Sequence, residues 1–309
     1  MQTTTQRTPA QNNERHASRA ALMSKENARH GEQMFPLKKY LTILDSSHPT
    51  VFAHWHDEAE FTLVTEGSGV YQVQLQTYEV TAGDFIFLPP TVLHAIHVPH
   101  GGYLRTETYV FHMHFLGMHA ADICAVRYLT PLSSLSLLPP VLFSKKHPAY
   151  QQLSTVFSDL NLCYETTPVG YELLMKADFL RLLAQIIPYC HNASAQTALN
   201  AEHAAKLKAA LEYITQHYTE ELSIGQLAAL CYFSEYYFMR FFKKYMGISC
   251  LEYIKNLRLE KAAKLLAQGE LSVLEVSLTA GFRNLSYFYR EFKKKYSVTP
   301  KSFAAESRR

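Results

Sequence analysis

Residues 237–244 read YFMRFFKK and residues 287–294 read YFYREFKK, so one basic, aromatic segment occurs twice at an offset of 50. Upstream, the tripeptide LSI at 222–224 recurs as LSV at 271–273, at an offset of 49. The two copies therefore differ by one residue between these segments. A short unit that tolerates a length change in its middle and ends in a basic helix is typical of a helix-turn-helix.

Capping signals divide each copy into two helices. A serine followed three residues later by Gln or Glu forms a capping box, and Ser or Asn after a turn starts the next helix. The capping boxes are Ser223 with Gln226 and Ser272 with Glu275, and the later caps are Ser234 and Asn284. These signals predict helix-turn-helix units over about 224–245 and 273–296, with the extra residue in the second turn.

The second helix of each unit has an apolar face and a polar face. Phe238 and Phe242, like Phe288 and Phe292, are four residues apart and are predicted to enter the core. An arginine recurs on the opposite face, where it can bind a guanine edge in the major groove, while lysines hold phosphates. The candidate DNA-binding residues are Tyr236, Met239, Arg240, Lys243, Leu285, Ser286, Tyr289, Arg290 and Lys293.

Charge and composition agree with a nucleic-acid partner. Residues 201–309 contain 17 Lys and Arg against 11 Asp and Glu, whereas residues 1–200 contain 13 against 16. A basic C-terminal third on a slightly acidic body favours a polyanion. No apolar run approaches the roughly 20 residues of a membrane span. The five scattered cysteines indicate reduced thiols in a cytoplasm.

The N-terminal part predicts a different architecture. Residues 1–35 are polar and predict a flexible tail without a signal peptide. Residues 36–130 alternate like short strands with Gly and Pro between them, which predicts a β-barrel. Residues 131–190 predict a connector with two helices that pack on the barrel or form a dimer. The predicted apolar faces are Leu153, Val156, Phe157 and Leu160 in the first helix, and Leu173, Leu174, Ala177, Leu180, Leu183, Ile186 and Ile187 in the second. Residues 191–204 predict a linker.

Four polar side chains in the predicted barrel can converge. His54, His56 and Glu60 have the same strand parity, and His94 would join them from a neighbouring strand. Such a set can line a pocket for a small effector, bind a first-row transition metal, or serve as a hydrogen-bonded structural group. A further pair, His112 and His114, lies on one side of a predicted strand, facing either the same pocket or solvent.

Residues 205–305 resemble the DNA-binding domain of the AraC/XylS family of transcription regulators. The resemblance rests on an ordered set of matches, with Ser277 and Ser297 as departures: Leu227-Ala228, Phe242-Lys243, Gly247, Arg258-Leu259, Ala262, Leu265-Leu266, Ala280-Gly281-Phe282, Tyr287-Phe288, Arg290, Phe292-Lys293, Thr299-Pro300 and Phe303. Residues 36–115 resemble a cupin barrel, except that Thr91 stands where the motif usually has glycine.

The resemblance implies an α+β multidomain protein with a cupin-like barrel, a helical connector and an all-α tandem helix-turn-helix domain. It implies an activator of transcription that binds double-stranded promoter DNA, contacts RNA polymerase, forms a homodimer and is controlled by a small effector, often a sugar. No cofactor is expected. The alternatives are a cupin metalloenzyme or a metal-sensing regulator that uses His54, His56, Glu60 and His94.

Overall fold

The computed structural model describes residues 30–306 apart from positions 47 and 119, and only the backbone of residues 195–201 and 306. The predicted tail over 1–35 lies outside the described residues as far as position 29. The chain divides into two compact units with a boundary after Leu199. Strand β2, at Thr50–His54, is hydrogen bonded to strand β6, at His94–His97, and is treated with the first unit.

The first unit is rich in strands, as the alternating sequence predicts. Their bounds are β1 Leu37–Leu44, β2 Thr50–His54, β3 Ala59–Val73, β4 Gln76–Thr81, β5 Phe85–Leu88, β6 His94–His97, β7 Leu104–Phe111, β8 Leu137–Leu138, β9 Leu142–Phe143 and β10 His191–Asn192. Eight of them form one antiparallel sheet, and β8 pairs only with β10. The pairings of the described strands do not close into a ring, so the sheet is an open version of the predicted barrel.

Strand β3 holds this sheet together because it pairs with β5 and β7 in its first half and with β4 and β6 in its second half. The register shifts between Val64 and Glu66, which is the effect of a β-bulge that bends a strand. Gly67 follows the bulge with φ +77°, and a Cβ there would lie 2.0 Å from the Tyr103 carbonyl oxygen. The bend therefore requires glycine at position 67.

Two helices cover one face of the sheet and complete its core. They are α2 at Tyr150–Thr166 and α3 at Tyr171–Ile186. The predicted apolar face of α2 is confirmed, since its four predicted core residues are buried with the aromatic side chains of β3, β5 and β7: Leu153, Val156, Phe157 and Leu160.

Helix α3 differs from the prediction. Its buried stripe includes Met175, Phe179 and Leu182, whereas Leu173 and Leu180 of the predicted apolar set are exposed.

The part of the connector that precedes α2 contains short ordered elements. Helix α1 occupies Thr130–Ser133, and β9 pairs with β5 because the ring of Phe143 is fully buried in the same core. The strand-rich part of the first unit therefore extends beyond the predicted boundary at residue 130. Burying one phenylalanine side chain stabilises the fold by about 1.5–3 kcal/mol, which explains why a strand of only two residues forms there.

The second unit is helical. Its bounds are α4 Ala195–His217, α5 Ile224–Leu230, α6 Glu235–Met246, α7 Cys250–Gln268, α8 Val273–Thr279, α9 Leu285–Tyr296 and α10 Pro300–Glu306. Helix α4 begins ten residues before the predicted start at 205, so part of the predicted linker is helical. The alanines of this stretch are strong helix formers, which the prediction from small, polar composition overlooked. Within residues 30–306, no helix combines the length and hydropathy needed to cross a membrane.

The five cysteines are free thiols, in agreement with the prediction. Burial raises the pKa of the Cys231 thiol to about 11 and that of Cys250 to about 12. Both thiols are therefore protonated at neutral pH, and a protonated thiol is a poor nucleophile.

Replacing Gly67 by alanine should destabilise the first unit, because the new Cβ clashes with the Tyr103 carbonyl and left-handed φ costs about 1–3 kcal/mol besides. Gly101→Ala is a matched control, since Gly101 has nearly the same φ, +76°, but nothing within 4 Å of the added Cβ. Urea unfolding followed by the fluorescence of Trp55, the single tryptophan, reports on this unit. Equal losses in both variants would contradict the steric role of Gly67.

Candidate nucleic-acid interface and histidine pocket

Both capping boxes are confirmed, and they fix where each helix-turn-helix begins. Ser223 Oγ accepts a hydrogen bond from the Gln226 amide at 3.1 Å, and Gln226 Oε1 accepts one from the Ser223 amide at 3.0 Å. In the second copy, Ser272 Oγ accepts from the Glu275 amide at 3.3 Å, and Glu275 accepts from the Ser272 amide at 2.8 Å. The first helices, α5 and α8, therefore start at equivalent residues.

The turns carry the one-residue difference between the copies. Helix α5 ends before Tyr232, which has φ +56°, and α8 ends before Gly281, which has φ +85°. A Cβ at Gly281 would lie 2.8 Å from the Cα of Thr219, whereas the Tyr232 side chain is 89% exposed. The left-handed turn is therefore open in the first copy and packed in the second. Arg283 is the additional residue before the next helix.

The second helices, α6 and α9, have the predicted orientation. Ser234 Oγ accepts from the Tyr237 amide, and Asn284 Oδ1 accepts from the Tyr287 amide, so both predicted N-caps are confirmed. The predicted core side chains have no exposed surface: Phe238, Phe242, Phe288 and Phe292. Their burial turns the opposite face of each helix outward.

Eight of the nine candidate DNA-binding side chains are exposed on these two outward faces. The eight are Tyr236, Met239, Arg240, Lys243, Leu285, Ser286, Arg290 and Lys293. The ninth, Tyr289, is half-buried and packs against the core of the second helix-turn-helix, with its ring centroid 6.2 Å from that of Phe288. Its equivalent in the first copy, Met239, is 46% exposed, so the two faces are not identical.

The two recurring arginines are held by different neighbours. The Arg240 guanidinium lies 5.7 Å from the centre of the Tyr236 ring, and its Nη1 donates to the Tyr236 hydroxyl at 3.3 Å. The Arg290 guanidinium lies 5.2 Å from the centre of the Tyr287 ring, and its Nε donates to Glu291 at 3.3 Å. Aromatic contact of this kind limits the rotamers of a long side chain. Both guanidinium groups are therefore preorganised at an exposed surface.

Helix α7 joins the two helix-turn-helix units through polar contacts that sequence reasoning missed. Arg258 donates to the carbonyl oxygens of Tyr218 and Glu220, both at 2.6 Å, and so caps the end of α4. Lys255 pairs with Glu291 of α9 at 3.0 Å. These bonds anchor α7 to the end of α4 and to α9.

Two positions depart from the resembled motifs because they carry a side chain at left-handed backbone. Ser297 ends α9 with φ +63°, where the first copy has Gly247 with φ +72°. Thr91 also has φ +63°, and its amide donates to the His56 carbonyl at 2.8 Å. A non-glycine residue in this region costs on the order of 1–3 kcal/mol. The hydrogen bond of Thr91 links the turn between β5 and β6 to His56, which lies just after β2.

The structure brings together the four candidate residues of the first unit. His54 ends β2, Glu60 lies in β3 and His94 begins β6, while His56 follows β2 directly. Because β6 pairs with both β2 and β3, one donor atom from each residue lies within 4.8 Å of all the others. His56, Glu60 and His94 are buried and His54 is half-buried. We call this group the histidine pocket.

Each imidazole of the histidine pocket has its Nδ1 against a main-chain carbonyl. The Nδ1–oxygen distances are 2.8 Å for His54 to Phe52, 3.1 Å for His56 to Glu58 and 2.9 Å for His94 to Val92. A carbonyl accepts only from N–H, so the proton sits on Nδ1 and a neutral imidazole presents the lone pair of Nε2. The contact at Nδ1 therefore orients all three rings in the same way.

The Glu60 carboxylate lies near the Nε2 atoms of His56 and His94. Its Oε1 is 2.9 Å from His56 Nε2 and 3.7 Å from His94 Nε2. Burial raises the pKa of Glu60, but the neighbouring His94 and His56 outweigh this effect and hold the pKa well below its usual range. Glu60 is therefore ionised. An imidazole that already donates from Nδ1 can meet this carboxylate through Nε2 only as an imidazolium or through a shared cation.

The donor set fits two kinds of ligand. Three imidazole nitrogens and one carboxylate oxygen that lie this close together are suitable ligands for a divalent first-row transition metal. The same nitrogens and oxygens can also hydrogen bond the hydroxyl groups of a small polar molecule.

The second histidine pair lies apart from this group. Strand β7 ends at Phe111, and a 3-10 turn follows over Met113–Leu116, so the predicted strand alternation stops there. His112 caps the turn by accepting from the His114 amide at 3.2 Å, and the two rings are 4.1 Å apart. His114 is exposed. This pair is therefore part of a turn rather than a wall of the histidine pocket.

Sequence reasoning missed His30, which is only 6% exposed beside the histidine pocket. Its ring centroid is 5.4 Å from that of His56, and its Nδ1 is 2.8 Å from the Tyr40 hydroxyl. Burial lowers the pKa of His30, which favours the neutral imidazole. The residue stands in a polar segment without strand or helix periodicity, so no pattern in the sequence marks it.

Comparison with known proteins gives two matching family models. Residues 227–306 match a helix-turn-helix domain, and residues 42–183 match an AraC-like ligand binding domain. The uncharacterized HTH-type transcriptional regulator YdeC of Bacillus subtilis is 23% identical over 281 residues, which is 90% of this chain and 95% of the relative. The HTH-type transcriptional activator RhaS of Pectobacterium atrosepticum is 26% identical over 275 residues, covering 88% and 95%.

Among solved structures, the DNA-binding domain of AdpA in complex with a target DNA is similar to the second unit. It is 27% identical, covers 33% of this chain and 93% of that chain, and has a TM-score of 0.32.

Proposed function

Because the chain belongs to the AraC family of transcriptional regulators, we propose that its two outward helix faces read promoter DNA under the control of a small molecule in the histidine pocket. The family and the relatives identify a regulator and not an enzyme. The observation that carries the proposal is the recurrence of an exposed, preorganised arginine at the same position of α6 and α9. We further propose that the protein acts in the cytoplasm, where promoter DNA is found.

The two faces suit successive major grooves. Each presents an arginine at mid-helix and lysines in the last turn, Lys243 in α6 and Lys293 in α9. Contacts to base edges determine the sequence preference, whereas contacts to phosphates hold the protein in place on the DNA. We therefore assign the arginines to bases and the lysines to the DNA backbone. Helix α7 contacts both helices, because its Tyr253 ring packs on Phe242 of α6 and its Lys255 pairs with Glu291 of α9. Two helices held rigidly in this way would bind a DNA site with two halves, one for each helix.

The effector is assigned to the histidine pocket, with a carbohydrate as the first class to test. A ligand that binds one arrangement of the protein better than another changes promoter occupancy. Activation is the expected sign, as in the activator RhaS, and implies a contact with RNA polymerase.

A homodimer is proposed through the exposed face of α3. Leu173, Ala177, Leu180 and Ala184 follow one another at spacings of four, three and four, which is the pattern of a coiled-coil seam. Leu173 is 75% exposed, although the other face of the helix is fully packed. A second copy in antiparallel orientation would place Glu172 of one helix near Arg181 of the other, where it would join the Asp159 and Asp178 carboxylates that already pair with this arginine.

Arg240→Ala and Arg290→Ala should each weaken specific promoter binding by about 1–3 kcal/mol and relax the base preference at one position. Lys243→Ala should weaken binding to all sequences alike and lower the salt slope by about 1. Arg127→Ala removes one exposed positive charge from the first unit and is the control for net charge. Titration of promoter DNA and shuffled DNA across salt concentrations measures all four. Unchanged base preference in both arginine variants would exclude them as base readers.

The double variant His54→Ala, His56→Ala should lose the response of DNA binding to effector and keep the basal affinity for DNA. The measurement is promoter binding with and without a panel of monosaccharides and divalent metal ions. His112→Ala with His114→Ala is the matched control, because it removes two histidines at the same spacing outside the pocket. If the first variant fails to fold, as judged by Trp55 fluorescence and circular dichroism, the histidine pocket has a structural role instead.

Leu173→Glu with Leu180→Glu should convert a dimer into a monomer, since like charges would then face each other along the seam. Sedimentation equilibrium gives the mass in solution. Leu41→Glu is the control, because Leu41 has the same exposure as Leu180, about 40%, but lies on β1. A wild-type protein that sediments as a monomer, or a double variant that stays dimeric, contradicts this interface.

A further inference from the structure

An acidic side chain stands directly beside the exposed arginine of α9. Glu291 follows Arg290 in the chain, and its side chain is 11% exposed. The first copy has Phe241 at the equivalent position of α6, and that ring is buried. A carboxylate next to a DNA-contacting face repels phosphates and weakens binding to DNA of any sequence. The contacts of Glu291 show what it contributes besides this repulsion.

The Glu291 carboxylate bridges two cations from different helices. Its Oε2 accepts a hydrogen bond from Lys255 Nζ of α7 at 3.0 Å, and its Oε1 accepts one from Arg290 Nε at 3.3 Å. Adjacent residues of a helix point about 100° apart, so the contact with Arg290 does not follow from their order in the chain. The Lys255 ammonium lowers the pKa of Glu291 more than burial raises it. Glu291 is therefore ionised at neutral pH.

These contacts restrain Arg290 on two sides and leave the end of its side chain available. Its guanidinium lies 5.2 Å from the centre of the Tyr287 ring, and Tyr287 in turn packs near the buried ring of Phe282. Because Nε is the nitrogen that donates to Glu291, the four N–H donors of the two terminal nitrogens remain. This terminal fork matches the O6 and N7 acceptors of guanine.

The arginine of the first copy is held in a different way. Arg240 donates to the Tyr236 hydroxyl through Nη1, so one of its terminal nitrogens already has an acceptor. Tyr236 is itself 67% exposed, and Phe241 offers no side-chain acceptor to replace Glu291. Arg240 is therefore supported by one exposed residue, whereas Arg290 is supported by an ion pair anchored on α7.

We propose that Glu291, neutralised by Lys255, is a positioning residue that presents both terminal nitrogens of Arg290 to a guanine, and that α9 therefore reads its base more strictly than α6. This inference rests on the proposed role of the two arginines as base readers. A long side chain that is restrained before binding loses less entropy on the correct base. The carboxylate also disfavours contacts of the guanidinium with phosphate, which would be equal for all sequences.

The test uses the full chain and a DNA duplex selected from a random library by binding to the wild type. Dissociation constants are measured for every single-base variant of this duplex and for a shuffled duplex. The positions whose preference is relaxed by Arg290→Ala and by Arg240→Ala are assigned to these two arginines. The wild type should discriminate more strongly at the position of Arg290 than at that of Arg240.

Glu291→Ala should reduce discrimination at the position of Arg290 by about 2–10-fold, which is the effect of releasing one restrained long side chain. Its affinity for the shuffled duplex should rise, because a negative charge is removed. Discrimination at the position of Arg240 should not change. Glu291→Gln keeps an acceptor for Arg290 Nε, so it should retain most of the discrimination although it also loses the charge.

Two controls separate positioning from charge and from folding. Glu270→Ala removes an exposed negative charge from the same unit and should leave discrimination unchanged. The double variant Arg290→Ala, Glu291→Ala should discriminate no worse than Arg290→Ala, because Glu291 acts through the arginine. Thermal melting followed by circular dichroism checks that each variant folds.

Lys255→Met tests the same ion pair if Glu291→Ala does not fold. Without the Lys255 ammonium, the carboxylate competes with guanine for the Arg290 guanidinium. Affinity for the selected duplex should therefore fall, and this loss should vanish when Arg290 is also replaced by alanine. A loss that persists without Arg290 would overturn the positioning role.

Unchanged discrimination in Glu291→Ala, in a protein whose preference is relaxed by Arg290→Ala, would overturn the inference. Equal losses at the positions of both arginines would do the same, since they indicate a general disturbance of the second unit. Equal or stronger discrimination by Arg240 in the wild type would overturn the stricter reading by α9. A wild type that selects no sequence from the library would instead contradict the proposed reading of DNA itself.

Discussion

Burial of two phenylalanines four residues apart is the constraint on which the DNA-binding unit depends. Phe238 with Phe242, and Phe288 with Phe292, are fully buried and fix the rotation of α6 and α9 about their axes. Each ring contributes roughly 1.5–3 kcal/mol, which is more than any surface contact of these helices supplies. Because the buried face is fixed, the arginine on the opposite face must point outward.

The same logic of position explains the histidine pocket. Three imidazoles and a carboxylate are costly to bury without partners, and the sheet meets this cost by placing each Nδ1 on a main-chain carbonyl. The remaining nitrogens are thereby directed toward Glu60. The bend of β3 at Gly67 lets one strand pair with both halves of the sheet, so that β3 carries Glu60 while β6, which carries His94, pairs with its far end.

The elements predicted well are those that carry a local signal. Capping boxes at Ser223 and Ser272, the N-caps Ser234 and Asn284, and the aromatic spacing of α6 and α9 depend on residues within one turn of each other. The features that the sequence did not predict depend on distant partners. Strand β9 exists because Phe143 enters a core formed by β3, β5 and α2, and Tyr289 is half-buried because the second helix-turn-helix packs against it.

The sequence by itself determined the tandem reading helices, the basic third of the chain and the identity of the four convergent side chains, since periodicity and capping are properties of neighbouring residues. The tertiary structure decided which apolar face of α3 is exposed, how the ring of each pocket histidine is oriented, and that His30 lies beside the pocket. These outcomes depend on contacts between residues that are far apart in the chain. Such contacts produce no pattern among neighbouring residues of the sequence.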